Sequence, residues 1–368
     1  MSDPPAAAMT RAFRMPAEWE PQEAVWLTRP HNAETWPGVL DHAVAQWDAF
    51  ADALAEVVSV RVTQDHAIAT NDSWVRDYGP LFVQERGAGS GERAMPDRLL
   101  AIDYRFNAWG RKYEPFDCDD AAGAAIAEAA DCTLQHREIV LEGGAIDVDG
   151  RGTLLTTEQC LLHPNRNTGL DRVAYERRFA EDLGITRTIW LPGGIEGDDT
   201  DGHVDDVARL LAPGLVACVH APENHPDHEI TSRNLAALNR SRDAAGRPLT
   251  VVELPAPEPC TFDYPADRFG PGGPATVPAS YANFLISNGR VFVPTFAQPS
   301  DDIALRILDD AMPEHTVVPI RADVLVIGLG TLHCLSLQQP RLGAVGSMEK
   351  ASRVEPQMNA DERRPDLR

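Results

Sequence analysis

Residues 284–320 read FLISNGRVFVPTFAQPSDDIALRILDDAMPEHTVVPI. The apolar run 284–287 stops at Asn288-Gly289, a dipeptide suited to a tight hairpin because both residues tolerate positive φ. Residues 291–294 read as the returning strand, a helix is expected near 301–311, and 316–320 reads as a third strand. Strand, strand, helix, strand is the unit to look for in the rest of the chain.

The unit recurs upstream with different letters. Residues 145–148 and 153–157 flank the turn Asp149-Gly150, a helix is expected around 171–183, and 186–190 reads as a strand. Residues 206–211 and 215–219 flank Pro213-Gly214, followed by a helix at about 228–239 and a strand at 250–254. Nearer the start, Val44, Trp47, Phe50, Leu54 and Val57 fall at helical spacing. Residues 42–57 therefore read as an amphipathic helix, and 58–62 as the strand after it. Two weaker copies fit before residue 141. The repeat is one of pattern, not of sequence identity. Each clear copy opens with a polar cluster: Glu142-Gly143-Gly144, Asp201-Gly202-His203 and Tyr281-Ala282-Asn283, with Asp77 opening an earlier one. Units packed around an axis would bring these openings together at its centre.

Composition narrows the function classes. With 43% hydrophobic and 24% charged residues, the 368-residue chain has the make-up of a folded globular protein. Its net charge of −23, from 56 acids against 33 bases, leaves no basic face for nucleic acid, so no nucleic-acid partner is expected. An acidic surface keeps the chain in solution and steers small cations weakly. The longest apolar runs, such as 324–329, are too short to cross a bilayer, and the start lacks a basic segment followed by a long apolar one. No membrane partner and a cytoplasmic location are therefore expected. None of the six cysteines forms a Cys-x-x-Cys pair, and no disulfide scaffold is expected. Residues 1–12 and 342–368 read as frayed tails, leaving one catalytic core over 13–341.

Four clusters can carry chemistry. Trp74 and Asp77, in Asn71-Asp72-Ser73-Trp74-Val75-Arg76-Asp77-Tyr78, suit a cationic ligand through ring-face attraction and carboxylate pairing; a salt-bridged loop is the plainer alternative. Glu142, at a bend with two glycines, is a candidate buried acid. In Asp201-Gly202-His203-Val204-Asp205-Asp206, His203 and Asp205 are two apart and would share a face of a strand. Proton transfer, a metal site and a solvated acidic loop all remain open for this pair. Cys334 follows two glycines near the end of the core, where a last strand would close a ring, and is a candidate nucleophile. On a strand its neighbour His333 would point the other way, which makes His203 the better base.

Together these clusters resemble the agmatine deiminase family of the guanidino-group modifying (pentein) superfamily, which also holds bacterial peptidyl-arginine deiminases. The likeness covers about residues 14–340. It runs through Met15-Pro16-Ala17-Glu18-Trp19-Glu20-Pro21, Trp74-Val75-Arg76-Asp77, Arg105-Phe106-Asn107-Ala108-Trp109 and Leu141-Glu142-Gly143-Gly144. It continues in Asp199-Thr200-Asp201-Gly202-His203-Val204-Asp205, Ala279-Ser280-Tyr281-Ala282-Asn283-Phe284 and Leu332-His333-Cys334. The resemblance implies an α/β fold, a five-bladed α/β propeller of strand-strand-helix-strand units. It implies hydrolysis of a small cationic guanidino substrate, agmatine foremost, to N-carbamoylputrescine and ammonia, a step of polyamine metabolism. By the same resemblance Cys334 is the nucleophile, His203 the acid and base, and Glu142 its orienting partner. Asp77 and Asp205 bind the guanidinium and Trp74 lines the pocket, with no metal and no organic cofactor. Arginine or peptidyl-arginine deimination, amidino transfer and non-enzymatic binding of guanidines are the alternatives, and Arg76 and Arg105 are the candidates for holding an α-carboxylate. Thr331, Asn71 and Asp201 depart from the family's usual letters. A homodimer is expected from what is common among soluble enzymes.

Overall fold

The computed structural model describes residues 13–85, 97–266 and 272–343. The tails expected at 1–12 and 342–368 lie outside these residues, apart from 342–343. In the decisive stretch, the strand Leu285–Ser287 pairs antiparallel with Arg290–Thr295. Asn288 at φ 42° and Gly289 at φ 86° make the tight turn. The helix Pro299–Ala311 begins two residues earlier than expected. Proline takes the first turn, where no N–H is needed, and Gln298 and Asp301 form a reciprocal capping box. Ala304 and Leu308 are its buried face. The chain returns as Thr316–Arg321, parallel to Arg290–Thr295.

Four further sheets repeat this order of one antiparallel and one parallel pairing. Ile146–Val148, Thr153–Thr157 and Arg187–Leu191 enclose the helix Arg172–Leu183. Ala208–Ala212, Leu215–His220 and Thr250–Pro255 enclose His228–Arg240. Leu81–Glu85, Arg98–Arg105 and Thr133–Val140 enclose Asp117–Ala129, with the short strand Phe13–Arg14 added at the edge. In the fifth, Ser336–Pro340 from the far end of the core pairs antiparallel with Gln22–Leu27. That strand is parallel to Ser59–Val62 across the helix Leu40–Ala55. This sheet read as a weak copy because its first strand lies more than three hundred residues from its second. The fold is mixed α/β, in separate small sheets with none closed on itself among the described residues. A two-stranded hairpin, Cys260–Tyr264 with Gly273–Val277, has no counterpart in the expected pattern. No helix among the described residues is long and apolar enough to cross a membrane.

Two expectations need correction. Residues 145 and 206 are not the starts of strands. Gly143–Ala145 and Val204–Asp206 are single helical turns, and the strands begin at Ile146 and Ala208. His203 and Asp205 thus owe their proximity to a turn, not to alternation along a strand. Cys334 likewise lies in the turn 332–335 ahead of the strand Ser336–Pro340. The same position is used each time: the polar residues occupy the entry to the first strand of a sheet.

Candidate active site

Asp77 lies on the helical turn Val75–Tyr78. Its neighbour Arg76 ties that turn to the Cys334 turn. The Arg76 backbone N–H donates to the carbonyl of Cys334 at 3.2 Å, its Nε to the carbonyl of His333 at 3.2 Å and its Nη1 to Gln338 Oε1 at 2.6 Å. The Asp77 carboxylate is then fixed on both oxygens: Oδ1 accepts from Gly144 N at 3.0 Å and Oδ2 from Trp109 Nε1 at 2.9 Å. A Cβ on Gly144 would stand 2.6 Å from His203 Nδ1, 2.8 Å from Asp77 Oδ1 and 3.1 Å from Asp205 Oδ2. Three residues expected at the site therefore converge on one backbone position that only glycine allows.

Cys334 and Asp205 meet from different sheets. Cys334 Sγ is 3.7 Å from Asp205 Oδ2 and 3.1 Å from Asn283 Nδ2. Asp205 Oδ2 also accepts from His333 Nδ1 at 2.7 Å, and its Oδ1 has no protein partner. His203 Nδ1 is 3.7 Å from Asp77 Oδ1, and neither ring nitrogen of His203 makes a protein hydrogen bond. Glu142 Oε1 accepts from Arg166 Nε at 2.5 Å, while Oε2 has no partner. Glu142, Cys160 and His203 bring a carboxylate oxygen, a thiol and a ring nitrogen within 4.8 Å of one another. Glu142 is thus beside His203 without a direct hydrogen bond to it. Buried polar atoms without partners are costly in a closed site, and one of them, Asp205 Oδ1, belongs to the carboxylate beside the nucleophile candidate.

The electrostatics follow from burial and these neighbours. Burial, with the carboxylates of Asp205, Asp206 and Asp77, pushes the Cys334 thiol well above its usual range. Burial opposes charge on His203, but Asp77, Cys160 and Glu142 outweigh it and raise its pKa well above the usual value. Burial also raises Asp77, against the pull of His203. Burial would raise Asp205 too, but the hydrogen bond from His333 holds it below the ordinary range.

Trp74, Asp77 and Cys334 line a cavity of about 960 Å³. His203, Glu142 and Asp205 do not line it and are almost fully buried. Its other carboxylates are Glu34, Asp72, Glu114, Asp119 and Asp199, and no arginine or lysine lines it among the described residues. Burial and the neighbouring Asp72 push Asp119 up to about 8, and burial raises Asp199 to about 6. Arg76 and Arg105, the expected carboxylate readers, point elsewhere. Arg76 is buried in the contacts above, and Arg105 pairs with Asp120 at 2.7 Å on the surface. Of the departures, Thr331 donates to Asn283 Oδ1 at 2.7 Å and Asp201 pairs with Lys112 and Arg166, both away from the cavity, whereas Asn71 and Asp72 line it. Among the described residues two groups carry metal-type ligands within 4.8 Å, Glu142–Cys160–His203 and Asp205–Asp206–Cys334, but Arg166 and His333 already face a carboxylate of each.

A model of the Porphyromonas-type peptidyl-arginine deiminase family matches residues 14–340. The chain belongs to this family. Among relatives of this deiminase family, the agmatine deiminase of Pseudomonas aeruginosa (strain UCBPP-PA14) is 36% identical over 374 residues, covering 92% of this chain and 99% of that protein. The solved agmatine deiminase of Enterococcus faecalis is 31% identical, with a TM-score of 0.80 over 90% of this chain and 96% of that one. An amidinotransferase from Microseira wollei, 14% identical, shares the fold alone, with a TM-score of 0.55 over 91% of this chain and 99% of that one.

Of the residues singled out from the sequence, Trp74, Asp77 and Cys334 line one cavity, Asp205 meets Cys334, and His203 lies beside Asp77 and Glu142, while Arg105 is on the surface. Asn283, Trp109, Glu18 and His333 lay in the quoted motifs but were given no role. Cys160 and Arg166 were missed altogether. Nothing marks Cys160 as different from the other buried cysteines, while Arg166, in Asn165-Arg166-Asn167, is a polar island between two elements.

Proposed function

We propose that the protein is an agmatine deiminase, hydrolysing the guanidinium of agmatine to N-carbamoylputrescine and ammonia. The observation that carries the reading is a cysteine thiol facing two buried carboxylates, Asp205 and Asp77, at a cavity with five further carboxylates and no arginine or lysine among its described lining. Agmatine bears a cation at each end, whereas free arginine brings an α-carboxylate for which the described lining offers no arginine or lysine.

In this mechanism Asp77 and Asp205 grip the planar guanidinium and hold its carbon against Sγ. The bound cation offsets the carboxylates that keep the Cys334 thiol protonated, so the thiol releases its proton to solvent and the thiolate becomes available. Sulfur adds to the guanidinium carbon, and the His203 imidazolium gives its proton to the departing nitrogen, which leaves as ammonia. Neutral His203 then takes a proton from water as its oxygen attacks the thiouronium carbon. The C–S bond breaks, the proton of the added hydroxyl returns to the sulfur, and the ureido product is released. Glu142 stabilises the charged ring and Trp74 walls the chain of the substrate.

The same reading takes the five sheets as blades of a propeller around the site, 13–341 as one catalytic domain, and the working form as a cytoplasmic homodimer. The test is incubation with agmatine, free arginine and a blocked arginyl peptide in the presence of chelator, with ureido product and ammonia measured and Cys334→Ala alongside. Turnover of agmatine alone, lost in Cys334→Ala, is expected. Turnover of arginine or the peptide with silence on agmatine overturns the substrate, and full activity in Cys334→Ala overturns the mechanism.

A further inference from the structure

His333 is followed directly by Cys334 in the chain, yet its ring makes contacts of its own. Nδ1 is 2.7 Å from Asp205 Oδ2 and Nε2 is 2.9 Å from Glu18 Oε2, with all three side chains buried. An ionised carboxylate only accepts hydrogen bonds, so a ring with a carboxylate at each nitrogen is placed to donate from both. Glu18 is anchored in turn: Oε1 accepts the N–H of Ile286 at 2.6 Å and pairs in charge with Arg209 Nη2 2.9 Å away, and Arg76 Nη2 is 3.6 Å from Oε2. The His333 backbone N–H donates to Asn283 Oδ1 at 3.1 Å, so the ring is carried by a fixed turn.

We propose that His333 is a positioning residue: as an imidazolium clamped between Glu18 and Asp205, it fixes the Asp205 carboxylate beside Cys334 for the guanidinium. The inference rests on the reading of Asp205 as a substrate carboxylate. Asp205 faces His333, Cys334, His203, Asp77 and Asp206, with Arg209 farther off. Without the imidazolium it is a desolvated acid among other acids, and its ionised form is disfavoured. Behind His333 stand Glu18, Arg76 and Arg209, with Asp147 3.5 Å beyond Arg209. This chain of contacts gives the N-terminal Glu18 a role in a site more than three hundred residues away.

The experiment is a pH profile of agmatine turnover in wild type and in His333→Gln, which keeps an amide donor and removes the charge, with thermal melts run beside it. The acid limb of kcat/KM should move to higher pH in His333→Gln. KM at neutral pH should rise roughly ten- to hundredfold, the range for losing one charge-assisted hydrogen bond. Activity should return as pH is raised above the displaced limb. A unique structural role predicts an even loss that pH does not restore, so an unmoved limb in a folded variant overturns the proposal. If His333→Gln does not fold, Glu18→Gln is read for the same shift in the same direction. If wild type is silent on agmatine, the proposed function fails on its own. The inference is then read from alkylation of Cys334 by a haloacetamidine against a haloacetamide. Wild type should favour the cationic reagent, and His333→Gln should lose that preference at neutral pH and regain it in alkali; an equal preference in both proteins sinks the idea.

Discussion

Cys334 is a protonated thiol in the free protein, because burial and three carboxylates all disfavour the thiolate. A group whose pKa is raised in this way gains thiolate only as pH climbs past its usual value. Iodoacetamide labelling of Cys334 should therefore be slow at neutral pH and still be rising above pH ~9, the ordinary range for a thiol. Labelling that is already maximal near neutrality would show that the carboxylates do not govern the sulfur. The identities of Cys334, His203, Glu142, Asp77, Asp205 and Trp74 were legible in the motifs that carry the family resemblance. Their pairing was not. Glu142 turns to Arg166, and His333 rather than His203 contacts the Asp205 carboxylate, because a turn aims side chains in directions that strand alternation does not describe.

At the level of elements, the sheets are held to one another by buried charge. Arg209, on the strand Ala208–Ala212, donates from Nη1 to the carbonyl of Phe284 at 2.6 Å and reaches Glu18 at 2.9 Å. It therefore links the edge strand Ala208–Ala212 to the N-terminal segment and to the entry of the strand Leu285–Ser287. Arg209→Met would leave Glu18 and Asp147 buried with less compensation, and a loss of about 3–5 kcal/mol in urea unfolding is expected; a change under ~1 kcal/mol would mean the network is slack. Burial would raise the Glu18 carboxyl, but Arg209 and His333 hold it well below the usual carboxylate range. Its stabilisation is complete above its unfolded pKa and drains away as pH falls toward the folded one. Helices and returning strands were readable from spacing and turn residues. The hairpin Cys260–Tyr264 with Gly273–Val277 was not: Cys260, Phe262 and Tyr264 alternate with exposed Thr261 and Asp263, but the return strand shows no such alternation to pair with it.

Across the molecule, the net charge of −23 and the acidic cavity act in the same direction on a cation. Raising salt from low to physiological levels should lower kcat/KM for agmatine severalfold through screening over a Debye length of about 8 Å. The same change should leave kcat nearly constant. An equal fall in both would place the effect in the chemistry instead of in capture.

By itself, the amino-acid sequence determined the repeating strand-strand-helix-strand order, because hairpin dipeptides and apolar spacing are local signals. It also determined the residue types available for chemistry, because the motifs are contiguous. Only the tertiary structure decided that Ser336–Pro340 completes the sheet of Gln22–Leu27, since backbone pairing between the two ends of a core leaves no mark in either segment. It also decided which carboxylate each histidine meets. Those contacts join turns from three separate sheets, and a hydrogen-bond distance across such a junction is set by how whole units pack.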